Sequence, residues 1–284
     1  MSDWLVLAKA RITALVLVTT AAGFVMGSHG DVGLARLAVA LVGTALASGG
    51  AAALNQVVER RHDALMRRTA SRPVAAGRIT PRLGLAFGLA LSMAGVLWLA
   101  LLVNPLTGAL GFLTIALYIG AYTPLKRRTS LNTLVGAVPG AIPPVMGWTA
   151  ATGSIDAGAW ALFGILYLWQ LPHFLAIAWM YREDYARAGF PMLPVVDPGG
   201  ESTARQVAVA TVGLLPVSLL PTFLGMAGGI YFFGALALGV GFVAFALGLA
   251  FGRQRSAARR LLLASVTYLP VLLGLLVLDR SAAP

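Results

Sequence analysis

No cysteine occurs in the chain, which excludes disulfides, thiolate metal sites, a cysteine nucleophile and thioether-anchored cofactors. Charge is scarce as well: Asp, Glu, Lys and Arg make up 11% of the residues, against a hydrophobic share of 58%. Soluble domains carry about 25% charged and about 45 to 50% apolar residues, so a water-soluble enzyme is excluded. Acids are the scarcer sign, with 10 Asp and Glu against 21 Lys and Arg and a net charge of +11 over 284 residues. The basic residues cluster at what becomes one membrane face, which removes nucleic acid as their partner. An apolar excess of this size has to face lipid rather than fold around one core.

What the chain has in abundance is long apolar runs, at about 10–27, 33–58, 83–103, 106–123, 133–152, 158–180, 206–226, 229–251 and 261–279. Each is near the ~20 residues a helix needs to cross ~30 Å of hydrocarbon. Outer-membrane strands alternate over ~10 residues, and these runs do not. The expected fold is all-α, a polytopic membrane bundle of about nine transmembrane helices in a single domain over 1–284. Prolines inside the runs (Pro139, Pro143, Pro144, Pro172, Pro216, Pro221, Pro270) are tolerated where neighbours satisfy the freed carbonyls. Glycine, at 33 positions, suits close helix contact.

Every Lys and Arg except Arg36 and Arg280 falls on alternate connections on one side. The positive-inside rule therefore predicts a cytoplasmic amino end and a periplasmic or extracellular carboxyl end. The first run lacks a small-residue cleavage site and an Arg- and Ser-rich leader, so the expected home is a bacterial inner membrane. Connections on the outer side are very short. On the cytoplasmic side two polar segments, about 59–81 and 181–206, hold Glu59, Asp63, Glu183, Asp184, Asp197 and Glu201, so chemistry belongs at that face.

Asn55, Glu59 and Asp63 recur every four residues, which puts three oxygen-bearing side chains on one stripe of a helix leaving the membrane. Over eight residues the rise is ~12 Å, too far for Asn55 and Asp63 to share one ion. The stripe suits an extended ligand with its own oxygens, such as a Mg²⁺-bridged diphosphate, with Arg67, Arg68 and Arg72 on the phosphates. The alternative is a charged helix end whose acids pair with arginines and whose arginines meet lipid headgroups. Asn55, an amide inside an apolar run, favours the first reading. His62 lies off the stripe and reads as a surface histidine.

In the second segment Gln170 and His173 share a face, and Asp184 falls eleven residues beyond His173, three turns later on nearly the same face if the helix continues. A histidine within a membrane span needs a partner or a ligand; a carbonyl freed by a nearby proline would serve. Glu183 and Asp184 read equally as a solvated pair balanced by Arg182 and Arg187. Lys126, Arg127 and Arg128 form a third cationic patch.

The series Asn55, Glu59, Asp63, Met66, Arg68, Thr69, Arg72, Pro73 resembles the first polar motif of the UbiA prenyltransferase superfamily, in the form used by protoheme IX farnesyltransferases. The segments Tyr122–Arg127, Gly140–Trp148, Trp169–Phe174 and Asp184–Pro194 are similar to that family's other signatures, in the same order, over essentially the whole chain. Glu59 stands where the superfamily often has Asp, and the second motif lacks paired aspartates at four-residue spacing.

The resemblance implies transfer of a farnesyl group from farnesyl diphosphate to a vinyl of haem b, with water added and diphosphate released, giving haem O. It implies Mg²⁺ as cofactor, with Glu59, Asp63 and Asp184 as metal ligands, and Arg68, Arg72 and Lys126 on the diphosphate. Asn55 would orient the diphosphate or a metal-bound water, completing a catalytic set of Asn55, Glu59, Asp63, Arg68 and Arg72. His173 would contact haem. Implied partners are the lipid bilayer and a haem A synthase or oxidase-assembly protein. Other readings of the residues stand beside this one: a prenyltransferase with an aromatic or quinone-precursor acceptor, a secondary transporter, or a structural assembly subunit.

Overall fold

The computed structural model describes residues 2–28 and 30–281, and among them the only extended pairing is an isolated bridge between Ala227 and Arg280. Nine helices among the described residues are long and apolar enough to cross a membrane. They are α1 (Ala10–Gly27), α2 (Leu34–Asp63), α3 (Pro81–Leu102), α4 (Pro105–Leu125), α5 (Asn132–Thr152), α6 (Ala157–Met180), α7 (Glu201–Phe223), α8 (Gly229–Gly252) and α9 (Arg255–Leu278). The expected all-α bundle is thus observed. The expected ends hold within three residues except at three places: α2 runs on to Asp63, α7 starts at Glu201 and α9 at Arg255. At each, charged residues extend the helix beyond the apolar slab. Hydropathy marks the slab, while backbone hydrogen bonding continues past it.

Helix starts follow from local chemistry. Thr80 accepts from Leu83 N (3.3 Å) ahead of Pro81, and Asn104 accepts from Thr107 N (2.8 Å) ahead of Pro105. Each pairs an N-cap oxygen with a proline at the first helical position, where no N–H is needed. Asp156 caps α6 through Gly158 N at 2.9 Å. The caps at Asn104 and Asp156 close two of the short connections.

Small residues bring helices into backbone contact. A Cβ on Gly50 would lie 2.5 Å from Ser92 N, so α2 and α3 touch along a small-residue seam. A Cβ on Gly23 would strike the Pro144 carbonyl, and one on Gly147 the Thr20 carbonyl, locking α1 against α5. The largest apolar core lies among α5 to α9, where Leu162, Ile165, Leu214, Tyr231, Leu261 and Leu272 are fully buried. Arg280 donates to Val25 O (3.3 Å) and Gly30 O (2.9 Å), tying the end of α9 to the end of α1.

The connections collect at two opposite ends of the bundle. At one end Asn104 Nδ2 donates to Thr149 O (2.8 Å) and Trp148 Nε1 to Asp156 (3.1 Å). At the other, Arg253 reaches Glu201 (3.3 Å) and Arg78 reaches Asp3 (2.9 Å). The second polar segment holds two short helices, Arg182–Arg187 and Leu193–Val196.

Candidate functional site

Helix α2 carries Asn55, Glu59 and Asp63 to the charged end, all on its inner face and all buried. Their burial depends on partners brought from other elements. Lys126, just past α4, donates to Glu59 Oε1 and Oε2 at 3.0 and 3.1 Å. Arg72 donates to both oxygens of Asp63 at 2.8 Å. Asn55 accepts from Lys9 Nζ (3.0 Å) and donates to Thr123 Oγ1 (3.4 Å). Buried carboxylates of this kind are tolerated only when paired and hydrogen-bonded.

Arg68 donates to Tyr185 Oη (2.9 Å), and its guanidinium lies over the Tyr181 and Tyr185 rings at 5.4 and 5.7 Å. Asp184 accepts from Arg187 (2.9 Å) and from the Arg68 backbone N (3.4 Å), which draws the second polar segment onto the first. Phe190 packs beside both: Lys126 Nζ lies 4.5 Å from its ring centroid, and the His62 ring lies 5.1 Å away, tilted by 32°. Seven of the eight sequence-derived residues (Asn55, Glu59, Asp63, Arg68, Arg72, Lys126 and Asp184) therefore gather at one end of the bundle as neighbouring paired groups, with Glu59 and Asp63 buried.

His173 stands apart from it. Its Nδ1 contacts Ser265 Oγ on α9 at 2.8 Å, so the expected proline-freed carbonyl is not its partner. The expected common face for His173 and Asp184 fails, because α6 ends at Met180 and Asp184 lies on the separate helix Arg182–Arg187. Of the acidic pair, Glu183 is exposed and Asp184 is buried. Arg67 is exposed and its side chain makes no ion pair among the described residues. His62 is half-buried rather than a free surface residue, with an unpartnered Nδ1.

Residues that sequence reasoning missed complete the site. Lys9 occupies the left-handed region (φ 48°, ψ 51°), breaking the chain between the helix Asp3–Leu7 and α1. A non-glycine residue there costs about 1–2 kcal/mol, which the contacts of its ammonium with Asn55 and, at 3.5 Å, Tyr118 Oη offset. The residue as a whole is half-buried, but its ammonium lies inside the cluster. That desolvation, reinforced by Arg72 nearby, pulls the Lys9 pKa down to about 7. Tyr118 and Tyr122, stacked at 5.6 Å, sit on a π-helical turn (Leu117–Tyr122) inside α4. That turn rotates the end of α4 so that Thr123 and Lys126 face α2. Only the position of a lysine ahead of the first span hinted at any of this.

Hard oxygen donors buried beside matched cations are the donor chemistry a Mg²⁺–diphosphate takes: carboxylates for the ion, guanidinium and ammonium groups for the phosphates. Among the described residues no three Asp, Glu, His or Cys side chains converge into a cage. Glu59, Asp63 and Asp184 thus form no closed ligand set by themselves, and an ion at Glu59 or Asp63 would need waters or substrate oxygens to complete its shell, as Mg²⁺ commonly does.

A closed helical bundle with a charge-paired, buried site at one end is the architecture of an integral-membrane enzyme acting on an amphiphile. A model of the UbiA prenyltransferase family matches residues 16–269, and the chain belongs to that family. It is 49% identical over 289 residues to the protoheme IX farnesyltransferase of Solibacter usitatus, covering 99% of each chain. Other relatives at 42 to 49% identity carry the same name. Among solved structures, a digeranylgeranylglyceryl phosphate synthase superposes with a TM-score of 0.80 at 14% identity, covering 98% of this chain and 97% of its own. A UbiA homologue of Archaeoglobus fulgidus bound to GPP and Mg²⁺ gives 0.66 at 15% identity, covering 97% and 99%.

Proposed function

We infer that the chain transfers the farnesyl group of farnesyl diphosphate to a vinyl group of haem b, with addition of water and release of diphosphate, to give haem O. The observation that carries the donor half is the pairing of buried Glu59 and Asp63 with Lys126 and Arg72 at 2.8 to 3.1 Å. The acceptor half is supported by full-length similarity to protoheme IX farnesyltransferases.

The resting pairs make the site exchangeable. An arriving diphosphate competes for Arg72 and Lys126, joined by Arg68 and Lys9, and frees Glu59 and Asp63, with Asp184 alongside, for Mg²⁺. Bound Mg²⁺ would stabilise the negative charge that develops on the departing diphosphate. The Arg68 guanidinium, held by Tyr181 and Tyr185, is in place for the same charge, while Arg72 turns from Asp63 to the diphosphate. Asn55, already tied to Lys9 and Thr123, orients the diphosphate. The apolar bundle behind the site shields the allylic cation from water until the vinyl group reacts. His173, on the α6–α9 seam, holds haem. The arginine asymmetry supports a multi-pass bacterial inner-membrane protein with this site facing the cytoplasm.

The test is incubation of purified protein with haem b, farnesyl diphosphate and Mg²⁺, followed by mass analysis of the pigment. Haem O is the expected product. Prenylated aromatics in a parallel incubation, with haem b unchanged, would assign the chain to another acceptor.

A further inference from the structure

His173 and Ser265 make a contact whose direction follows from the heavy atoms alone. Ser265 Oγ carries one hydrogen and lies 2.6 Å from the Leu262 carbonyl oxygen and 2.8 Å from His173 Nδ1. A carbonyl oxygen only accepts, and two oxygens 2.6 Å apart with no hydrogen between them repel, so the serine hydrogen points at Leu262. Ser265 Oγ then offers His173 a lone pair, and Nδ1 must be the donor. In a neutral imidazole that leaves Nε2 bare.

The surroundings hold this arrangement still. The imidazole stacks on Trp169 with ring centroids 4.9 Å apart and planes 24° apart. Trp169 is itself pinned, its Nε1 donating to the Ser265 carbonyl at 2.9 Å. One residue of α9 thereby fixes both rings, and Phe174 meets the imidazole edge-on at 5.5 Å. His173 Nε2 has no partner among the described residues and is not fully enclosed, so a ligand can approach it. A ring whose far nitrogen is hydrogen-bonded and whose near nitrogen is bare is what iron takes as an axial ligand.

We propose that Ser265 is a positioning residue for the haem substrate: it holds His173 in the Nδ1–H tautomer and presents the bare Nε2 to the haem iron. This rests on the assignment of His173 to haem, and the experiment separates the two. ¹⁵N NMR of the histidine side chains, on haem-free protein in lipid nanodiscs at pH 8, reads the tautomer directly, with His173→Gln identifying the signal. The Nδ1–H form is expected in the parent protein, with loss of that preference in Ser265→Ala. Titration with ferric haem b should show nitrogen ligation in the parent, and at least ~10-fold weaker binding in Ser265→Ala. Ser265→Thr, which keeps the hydroxyl, should restore both, and unchanged farnesyl diphosphate binding reports intact folding. An Nε2–H signal in the parent overturns the proposal whatever the variants do, as does a Ser265→Ala protein with parental tautomer and haem affinity. A His173→Ala protein that binds haem with the parental spectrum, beside an Nδ1–H parent, overturns the haem assignment instead.

Discussion

Replacing Glu59 with Gln removes one charge from a fully enclosed pair and makes two separable demands on the protein. Glu59 is 1% exposed and Lys126 is 8% exposed, at 3.0 Å. Leaving the ammonium buried without its counter-charge costs about 3–5 kcal/mol of stability. The same change removes a carboxylate from the proposed metal site, with an expected loss of at least ~10²-fold in turnover, about 2.7 kcal/mol of transition-state stabilisation. Stability and catalysis come apart in the double variant Glu59→Gln with Lys126→Met. Neither buried charge is then left unpaired, so thermal unfolding in detergent should show most of the single variants' loss recovered. Single-turnover formation of farnesylated haem at saturating Mg²⁺ should stay low, because the carboxylate and the phosphate-binding ammonium are both gone. A double variant that recovers stability and turnover together would show the pair to be structural only and refute its place in catalysis.

Reporter fusions at Gly153 and Ser71 should report opposite compartments, because the two positions lie at opposite ends of the bundle; the same compartment for both would overturn the assignment of the spans. Lys9 has its folded pKa at about 7 against 10.5 unfolded, so the cost of burying its ammonium is absent above 10.5 and complete below about 7. Stability should therefore rise between those values in melts taken across pH, and Lys9→Met should flatten the rise. Gly23→Ala forces a methyl onto the Pro144 carbonyl, and the separation of α1 from α5 should cost about 1–3 kcal/mol in the same melts. A parental melting curve would contradict that backbone contact.

Nine spans and their order were legible because lipid imposes a plain requirement, some twenty apolar residues per crossing. The stripe Asn55, Glu59, Asp63 was legible for a similar reason, since four-residue spacing fixes a helix face without reference to anything else. What the pattern could not carry was long-range pairing. Lys9 lies 46 residues from Asn55, and in sequence it registers only as one more cation at the cytoplasmic end. Tyr118 and Tyr122 look like ordinary lining of an apolar run until the π-helical turn swings them and Lys126 toward α2. The break at Tyr181 is equally local and unsignalled; without it Asp184 would lie along α6 instead of folding back to meet Arg68.

The two ion pairs differ in how long each acid waits for its partner as the chain is made. Asp63 finds Arg72 nine residues later, within the same connection. Glu59 and Lys126 are 67 residues apart, with α3 and α4 between them. During insertion the first acid is matched almost as it emerges, while the second stays unmatched until the fourth helix docks. A mispacked α4 would leave both members of the Glu59–Lys126 pair buried and unmatched, which penalises that arrangement energetically.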